Sequence, residues 1–203
     1  ETVPCHTFKD VFKAIDKDDN LLGIIAIENT IAGSLLQNHN LLRESGCLII
    51  GEYKLRISHQ LAVPPGQKLE DIIEVCSHPI ALMQCEDFLD AHKNLRAVET
   101  DDTALSAKEI AENKITGRAA ICSRLAAELY GLEILAEGIE TNKRNFTRFL
   151  IIAKPDLAYK MNRQMVLNKS TLVFTLPHEE GSLSKVLSVL SFYHMNLTKI
   201  QSL

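Results

Sequence analysis

Short, evenly apolar stretches alternate with amphipathic helical segments along most of this 203-residue chain, and that alternation restricts its fold more than any other feature. Leu22 to Ile27 is too short and too uniformly apolar for an amphipathic helix, and its isoleucines suit a strand buried on both faces, ending at Glu28-Asn29. Cys47 to Tyr53, Glu74 to Ser77, Leu95 to Glu99, Ala119 to Ile121, Ile134-Leu135 and Arg148 to Ala153 repeat the pattern. The helices between them have readable ends. Thr7, with Asp10 at the capping-box offset, opens one that carries Phe8, Val11, Phe12 and Ile15 at helical spacing. Ser34 to Ser45, capped by Ser34, is a second that Gly46 stops. Pro79 begins one reaching about His92, Asp102 or Thr103 caps one to Asn113, and Ser123 caps one that Gly131 ends. Lys54 to Val63 alternates apolar and polar residues as an extended crossover, broken by Pro64-Pro65-Gly66. Strands joined by helices of about ten residues predict an α/β fold with mainly parallel sheets, and ligands beyond the carboxyl ends of the strands.

Composition removes several function classes. No apolar run approaches the roughly 18 residues of a membrane helix. The net charge of -4 and the lack of a dense basic stripe speak against nucleic acid as a partner. Five widely spaced cysteines with no Cys-x-x-Cys pair, and no signal peptide at the start, predict reduced thiols in a cytoplasm. Asp16-x-Asp18-x-Asn20 starts like a calcium loop, but Leu21 and Ile27 replace its glycine and closing glutamate. The seven histidines show no metal-binding spacing, and no phosphate-cradling glycine loop or dinucleotide fingerprint occurs, so neither metal nor cofactor is implied.

Beyond Pro155 the character changes. Residues 156–168 read as a linker or short connecting helix. A second unit follows at 169–203, with a strand at Ser170 to Leu176, a helix at Ser182 to His194 and a further strand beginning at Leu197 to Leu203.

Four segments in order, Gly23-Ile24-Ile25-Ala26-Ile27-Glu28-Asn29-Thr30, Ser77-His78-Pro79 through Cys85, Tyr130 to Leu135 and Asn145-Phe146-Thr147-Arg148-Phe149, resemble the prephenate dehydratase family. The resemblance runs from about Thr2 to Ala153. It implies a two-lobed catalytic domain, residues 1–155, like the type II periplasmic binding proteins, with lobe one at 1–57 and 140–155, lobe two at 58–139 and substrate in the cleft. The unit at 169–203 resembles an incomplete ferredoxin-like ACT regulatory module. With Glu1 in place of methionine, the expectation is a chain truncated at both ends. The activity implied is conversion of prephenate to phenylpyruvate in L-phenylalanine biosynthesis. The implied partners are that substrate, a regulatory amino acid such as phenylalanine, and further copies of the chain in a homodimer or homotetramer.

The site residues divide between chemistry and scaffolding. Thr147 sets a hydroxyl at the mouth of a buried strand, where it can hydrogen-bond a leaving oxygen, although threonine also favours strands for structural reasons. Arg148, one residue on, points to the other strand face and can brace the loop or pair with a carboxylate. Phe149 suits core or cleft wall. Glu28 and Asn29 can orient a polar ligand, or the segment is a helix-capping turn, for which Asn29, Thr30 and Ser34 are equally suited. Ser77 and His78 precede a helix N-terminus that attracts carboxylates, while a backbone-satisfied loop histidine is the plainer reading of His78. The resemblance adds Gln84 as a site glutamine and Thr103-Ala104 as a second anion-binding helix start, for which capping is the alternative. It also assigns effector contacts to Gly181, Ser182, Leu183, Gln201 and Ser202.

Departures from the family pattern are specific. Its Gly-Pro-x-Gly-Thr/Ser segment is absent, which implies that one βα unit and part of the substrate wall are missing from these residues. Ile80 stands for a usual glutamine, Asn40 for an aspartate, Gln201 for a glutamate and Leu203 for an arginine. Arogenate dehydratase and a non-catalytic small-molecule sensor of the same fold are the competing readings.

Overall fold

The computed structural model describes residues 1–163 and 166–202. The chain divides into two compact units, residues 1–53 with 148–203 and residues 54–147. The sequence had the crossings at 57/58 and 139/140. Both observed crossings fall inside strands, and the second separates Thr147 from Arg148.

The first unit opens with α1 (Phe8–Lys17). Thr7 caps it: the Asp10 amide donates to the Thr7 hydroxyl at 3.2 Å, and that hydroxyl donates to the Asp10 carboxylate at 2.7 Å. Strands β1 (Gly23–Asn29), β2 (Gly33–Ser34) and β3 (Leu48–Arg56), with helix α2 (Leu36–Ser45) before β3, lead to the crossing. The return strand is β9 (Phe146–Ala153), and the four strands lie in the order β2-β1-β9-β3. Phe12 and Ile15 of α1 pack with Ile25, Ile27, Leu150 and Ile152 to form the core. Gly23 permits this close approach, since a Cβ there would lie 2.6 Å from Ile15 Cδ1 and 2.9 Å from Val11 Cγ1. Ile24 is 61% exposed, so β1 is not buried on both faces as expected. The helix over 36–45 starts after Ser34, which pairs with Glu28 in the β1–β2 hairpin and caps nothing.

The second unit contains β4 (Gln60–Val63), a 3-10 turn (Leu69–Asp71), β5 (Glu74–Ser77), α3 (Pro79–Gln84), α4 (Glu86–Ala91), β6 (Arg96–Glu99), α5 (Thr103–Glu112), β7 (Arg118–Cys122), α6 (Arg124–Leu129) and β8 (Glu133–Ala136). The sheet order is β6-β5-β7-β4-β8. β5 runs parallel to β6 and β7, and β4 is antiparallel to β7 and β8. Four strands therefore share one direction and β4 alone opposes them, giving a mixed, mainly parallel sheet. The period of two divides its side chains cleanly. Leu61, Val63, Val75, Ala119 and Ile121 face Ala81, Leu82 and Cys85. Ala62, Cys76, Ala120 and Cys122 face Ala107, Ile110, Ala126 and Ala127. The expected helix from Pro79 to His92 is two helices broken at Cys85, whose φ of -109° and ψ of 22° leave the helical range.

After β9 come α7 (Pro155–Asn162) and α8 (Ser182–Phe192). The linker at 156–168 thus begins as a helix, and its Gln164 and Met165 lie outside the described residues. The strands expected over Ser170 to Leu176 and over 197–202 do not form among the described residues: a strand is stable only within a hydrogen-bond ladder, and neither segment joins either sheet. Leu203 lies outside the described residues.

Candidate functional site

Arg148 makes ionic contacts with carboxylates of two strands of the first unit. Its side chain, 17% exposed, lies against Glu52 of β3, with Nη2 at 2.6 Å and Nε at 2.7 Å from the same oxygen, and Nη1 lies 3.8 Å from Glu28 of β1. Lys169 pairs with Glu52 at 2.6 Å. Lys199 lies 3.0 Å from Glu28 and donates to the Ser34 hydroxyl at 2.7 Å. Three cations therefore share two carboxylates. The bond from Lys169 leads in holding the Glu52 carboxyl below its ordinary range, against the opposing effect of desolvation. His39 is pushed below its ordinary value by burial first and by Lys199 next, and its Nε2 has no hydrogen-bond partner among the described residues.

Arg148 thus braces β9 through carboxylates, one of the two uses read from the sequence, and its guanidinium is already neutralised. Thr147 is the second residue of β9 and Phe149 the fourth, both half-buried. Asn29 places its side-chain oxygen 2.9 Å from the amides of Ile31 and Ala32, capping a hairpin turn and not a helix.

In the second unit Ser77 is fully buried and donates to the Ile121 carbonyl at 2.7 Å, so its hydroxyl ties β5 to β7 instead of pointing at a ligand. His78 caps α3, with Nδ1 accepting from the Ile80 amide at 3.2 Å, the plainer of the two sequence readings. At α5 the Ala104 and Leu105 amides both donate at 2.8 Å to Asp102. The expected anion site at Thr103-Ala104 is corrected accordingly: the cap is Asp102, and its carboxylate occupies the amides an anion would need. Gln84 is 7% exposed, and its Oε1 lies 2.9 Å from Nε2 of His59. Sequence reasoning passed over His59 and the buried Glu140, whose carboxylate accepts from the His59 amide at 2.9 Å. The only nearby sequence signal is the apolar–polar alternation of Lys54 to Val63, which does not single out His59.

Around α8, Gly181 adopts φ 77° as the cap, so Ser182 is the first helical residue and not its cap. Leu183 is 46% exposed, and the Gln201 side-chain Nε2 donates to the Ser202 carbonyl at 2.8 Å. A hollow of about 620 Å³ beside α1, lined by Val3, Phe8, Val11, Leu22 and Ile24 among others, holds none of the expected site residues.

The model of the family described as prephenate dehydratase matches residues 1–157. The chain belongs to the prephenate dehydratase family. It is 39% identical over 202 residues to an Arabidopsis thaliana protein described as arogenate dehydratase/prephenate dehydratase 2, chloroplastic, covering 100% of this chain and 52% of the relative. It is also 39% identical over 204 residues to arogenate dehydratase 1 of Petunia hybrida, with coverage of 100% and 47%. The chain spans about half the length of these curated relatives. Among solved structures, the prephenate dehydratase of Arthrobacter aurescens in complex with L-Phe superposes with a TM-score of 0.82 at 28% identity, over 99% of this chain and 67% of that one. A protein described as GqqA, a novel type of quorum quenching acylases, gives a TM-score of 0.78 at 31% identity, over 99% and 72%. The α/β class read from the sequence is that of the solved prephenate dehydratases, the periplasmic-binding-protein-like fold.

Proposed function

We propose that this chain is the catalytic region of a prephenate dehydratase, converting prephenate to phenylpyruvate, carbon dioxide and water in L-phenylalanine biosynthesis. The family match over residues 1–157 carries this reading, because that span includes Glu28-Asn29, Gln84 and Thr147-Arg148. In the reaction the bond from ring carbon to carboxylate breaks, and its electron pair enters the ring. The carbon–oxygen bond at the opposite ring carbon breaks, and the leaving hydroxide takes up a proton. Aromatisation drives both, so the protein needs mainly to orient the acid and support charge on the departing oxygen.

Thr147 is the donor to that oxygen. Asn29 and Gln84 hold the substrate through their carboxamides, with Glu28, His78 and Phe149 as contributing contacts. Arg148 keeps β9 in place through Glu52. Ser77 contributes by joining β5 to β7 beneath His78.

Residues 1–155 form the catalytic domain in this proposal, 156–168 connect it, and 169–203 open an ACT-type module. That module binds phenylalanine at Gly181 to Leu183 and Gln201-Ser202 and joins copies of the chain into a homodimer or homotetramer. The exposed Leu183, Val189 and Phe192 of α8 and the L-Phe bound by the Arthrobacter relative support this. Among the described residues no helix is long and apolar enough to cross a membrane, and all five cysteines are unpaired, as a reducing compartment such as the cytoplasm favours.

Arogenate, which carries an amine where prephenate has a keto group, is the second reading, favoured by the names of the plant relatives. Incubating the intact protein with each compound and following phenylpyruvate and phenylalanine separates the two. Release of neither product, with the acids bound unchanged, would replace both readings by the sensor.

A further inference from the structure

We propose that His59 is a positioning residue for Gln84, fixing the direction in which that carboxamide meets the substrate; this rests on the dehydratase reading above. A carboxamide oxygen can only accept, so at 2.9 Å from Gln84 Oε1 the His59 ring must donate, with its proton on Nε2. The contact is buried on both sides, His59 being 6% and Gln84 7% exposed. With its oxygen committed to His59, Gln84 keeps its two amide N–H groups as donors. A nearly buried donor pair of fixed direction suits a carboxylate or hydroxyl of the substrate.

The histidine is itself over-determined. Its backbone amide donates to Glu140 Oε2 at 2.9 Å, and its carbonyl accepts from the Ile139 amide at 2.9 Å. Glu140 has a fully buried side chain, with Arg56 3.5 Å and Lys143 4.0 Å from its other oxygen. The Gln84 carbonyl accepts from the Thr141 amide at 2.8 Å. The segment 139–141 therefore grips both partners, His59 from one side and the last turn of α3 from the other. Such a frame holds a side chain within the small tolerance that oriented catalysis requires, where a misplacement of about 1 Å can cost on the order of 100-fold.

The test is a double-mutant cycle in the intact protein, with kcat and KM for prephenate, and for arogenate if that is turned over, alongside melting temperatures. His59→Phe keeps the ring and removes the donor. It should lower kcat/KM roughly 10- to 100-fold. His59→Asn, which restores a donor, should recover part of the loss. In a Gln84→Ala background, His59→Phe should cost less than about twofold more, since a residue acting through another has nothing left to act on. Multiplicative losses in the two backgrounds, or turnover unchanged in His59→Phe, would overturn the inference while leaving the dehydratase reading intact. Wild-type protein without turnover of either acid would overturn both. Long-range nitrogen–proton correlation gives a readout independent of activity: the His59 proton should sit on Nε2 in wild-type protein, and finding it on Nδ1 would remove the geometry on which the inference stands.

Discussion

Arg148 reaches Glu52 through two nitrogens that converge on one carboxylate oxygen, and the second oxygen of that carboxylate is taken by Lys169. β9 is thereby pinned to β3 immediately after Thr147, the residue assigned to the leaving oxygen. Replacing Glu52 by Gln keeps the shape and removes the charge. Half-exposed charged hydrogen bonds of this kind contribute roughly 1–2 kcal/mol, so the melting temperature should fall by roughly 2–8 °C. Turnover should fall about tenfold as the Thr147 peptide loses its brace. Calorimetric melting and steady-state kinetics on one preparation check both effects, and unchanged values would show that the ion pair holds nothing in place.

Removal of the Thr147 hydroxyl should be far more damaging to rate than to stability. Thr147→Ala is expected to lower kcat by roughly 100- to 10,000-fold, the range of a positioned donor, whereas Thr147→Ser should recover much of it. A loss below about threefold would take Thr147 out of the mechanism.

His39 supplies a pH dependence whose sign follows from its depressed folded-state value. Above the ordinary value of 6.5 it is neutral in both states and contributes nothing. As pH falls below that value the unfolded chain takes up a proton that the folded chain refuses, so stability declines until the folded-state value is passed. Melting temperatures measured through this window should drop more steeply for wild type than for His39→Gln. Parallel curves would assign the acid sensitivity elsewhere.

Thiol labelling should divide the cysteines by depth. Burial pushes Cys85 and Cys122 up to about 12, and Cys76 is also raised, so none forms appreciable thiolate near neutrality. Cys5 and Cys47 are only half-buried. A thiol reagent on native protein should modify those two first and reach the other three only after unfolding, as mass spectrometry would show. Rapid native labelling of Cys85 would contradict the packing beneath α3.

Phenylalanine should bind the intact protein if 169–203 opens an ACT-type module. Isothermal calorimetry should detect this heat, and Gly181→Val should abolish it, because φ 77° is strained for a β-branched residue. Absence of heat in wild type would remove the regulatory proposal.

What could be read from the sequence was what neighbours in sequence determine. The caps at Thr7, Asp102 and Ser123 and the strand at Glu74 to Ser77 were all legible because each depends on residues within one turn or one alternation. The break at Cys85 was not, since Met83 to Asp87 contains no glycine or proline and gives no local stop signal. The reversal of β4 escaped because βα alternation specifies direction only for strands joined by helices. Among site residues, the backbone-bonded reading of His78 agrees with its contact to the Ile80 amide, whereas Asn29 closes a hairpin turn and not the helix-capping turn read as its alternative, and Asp102 takes the amides assigned to an anion at Thr103-Ala104. His59 with Gln84, and His59 with Glu140, stand 25 and 81 residues apart, a pairing only the folded chain reveals.

The two sides of the five-stranded sheet differ in how much change they can absorb. Beneath α5 and α6 the layer is paved mostly with alanine and cysteine, so an added methyl group finds no slack and must displace backbone. Beneath α3 and α4, where leucine, isoleucine and valine dominate, exchanges that conserve volume can be met by rotamer adjustment. A drifting or engineered sequence should therefore vary its hydrophobic residues under Gln84 while keeping the opposite layer nearly frozen.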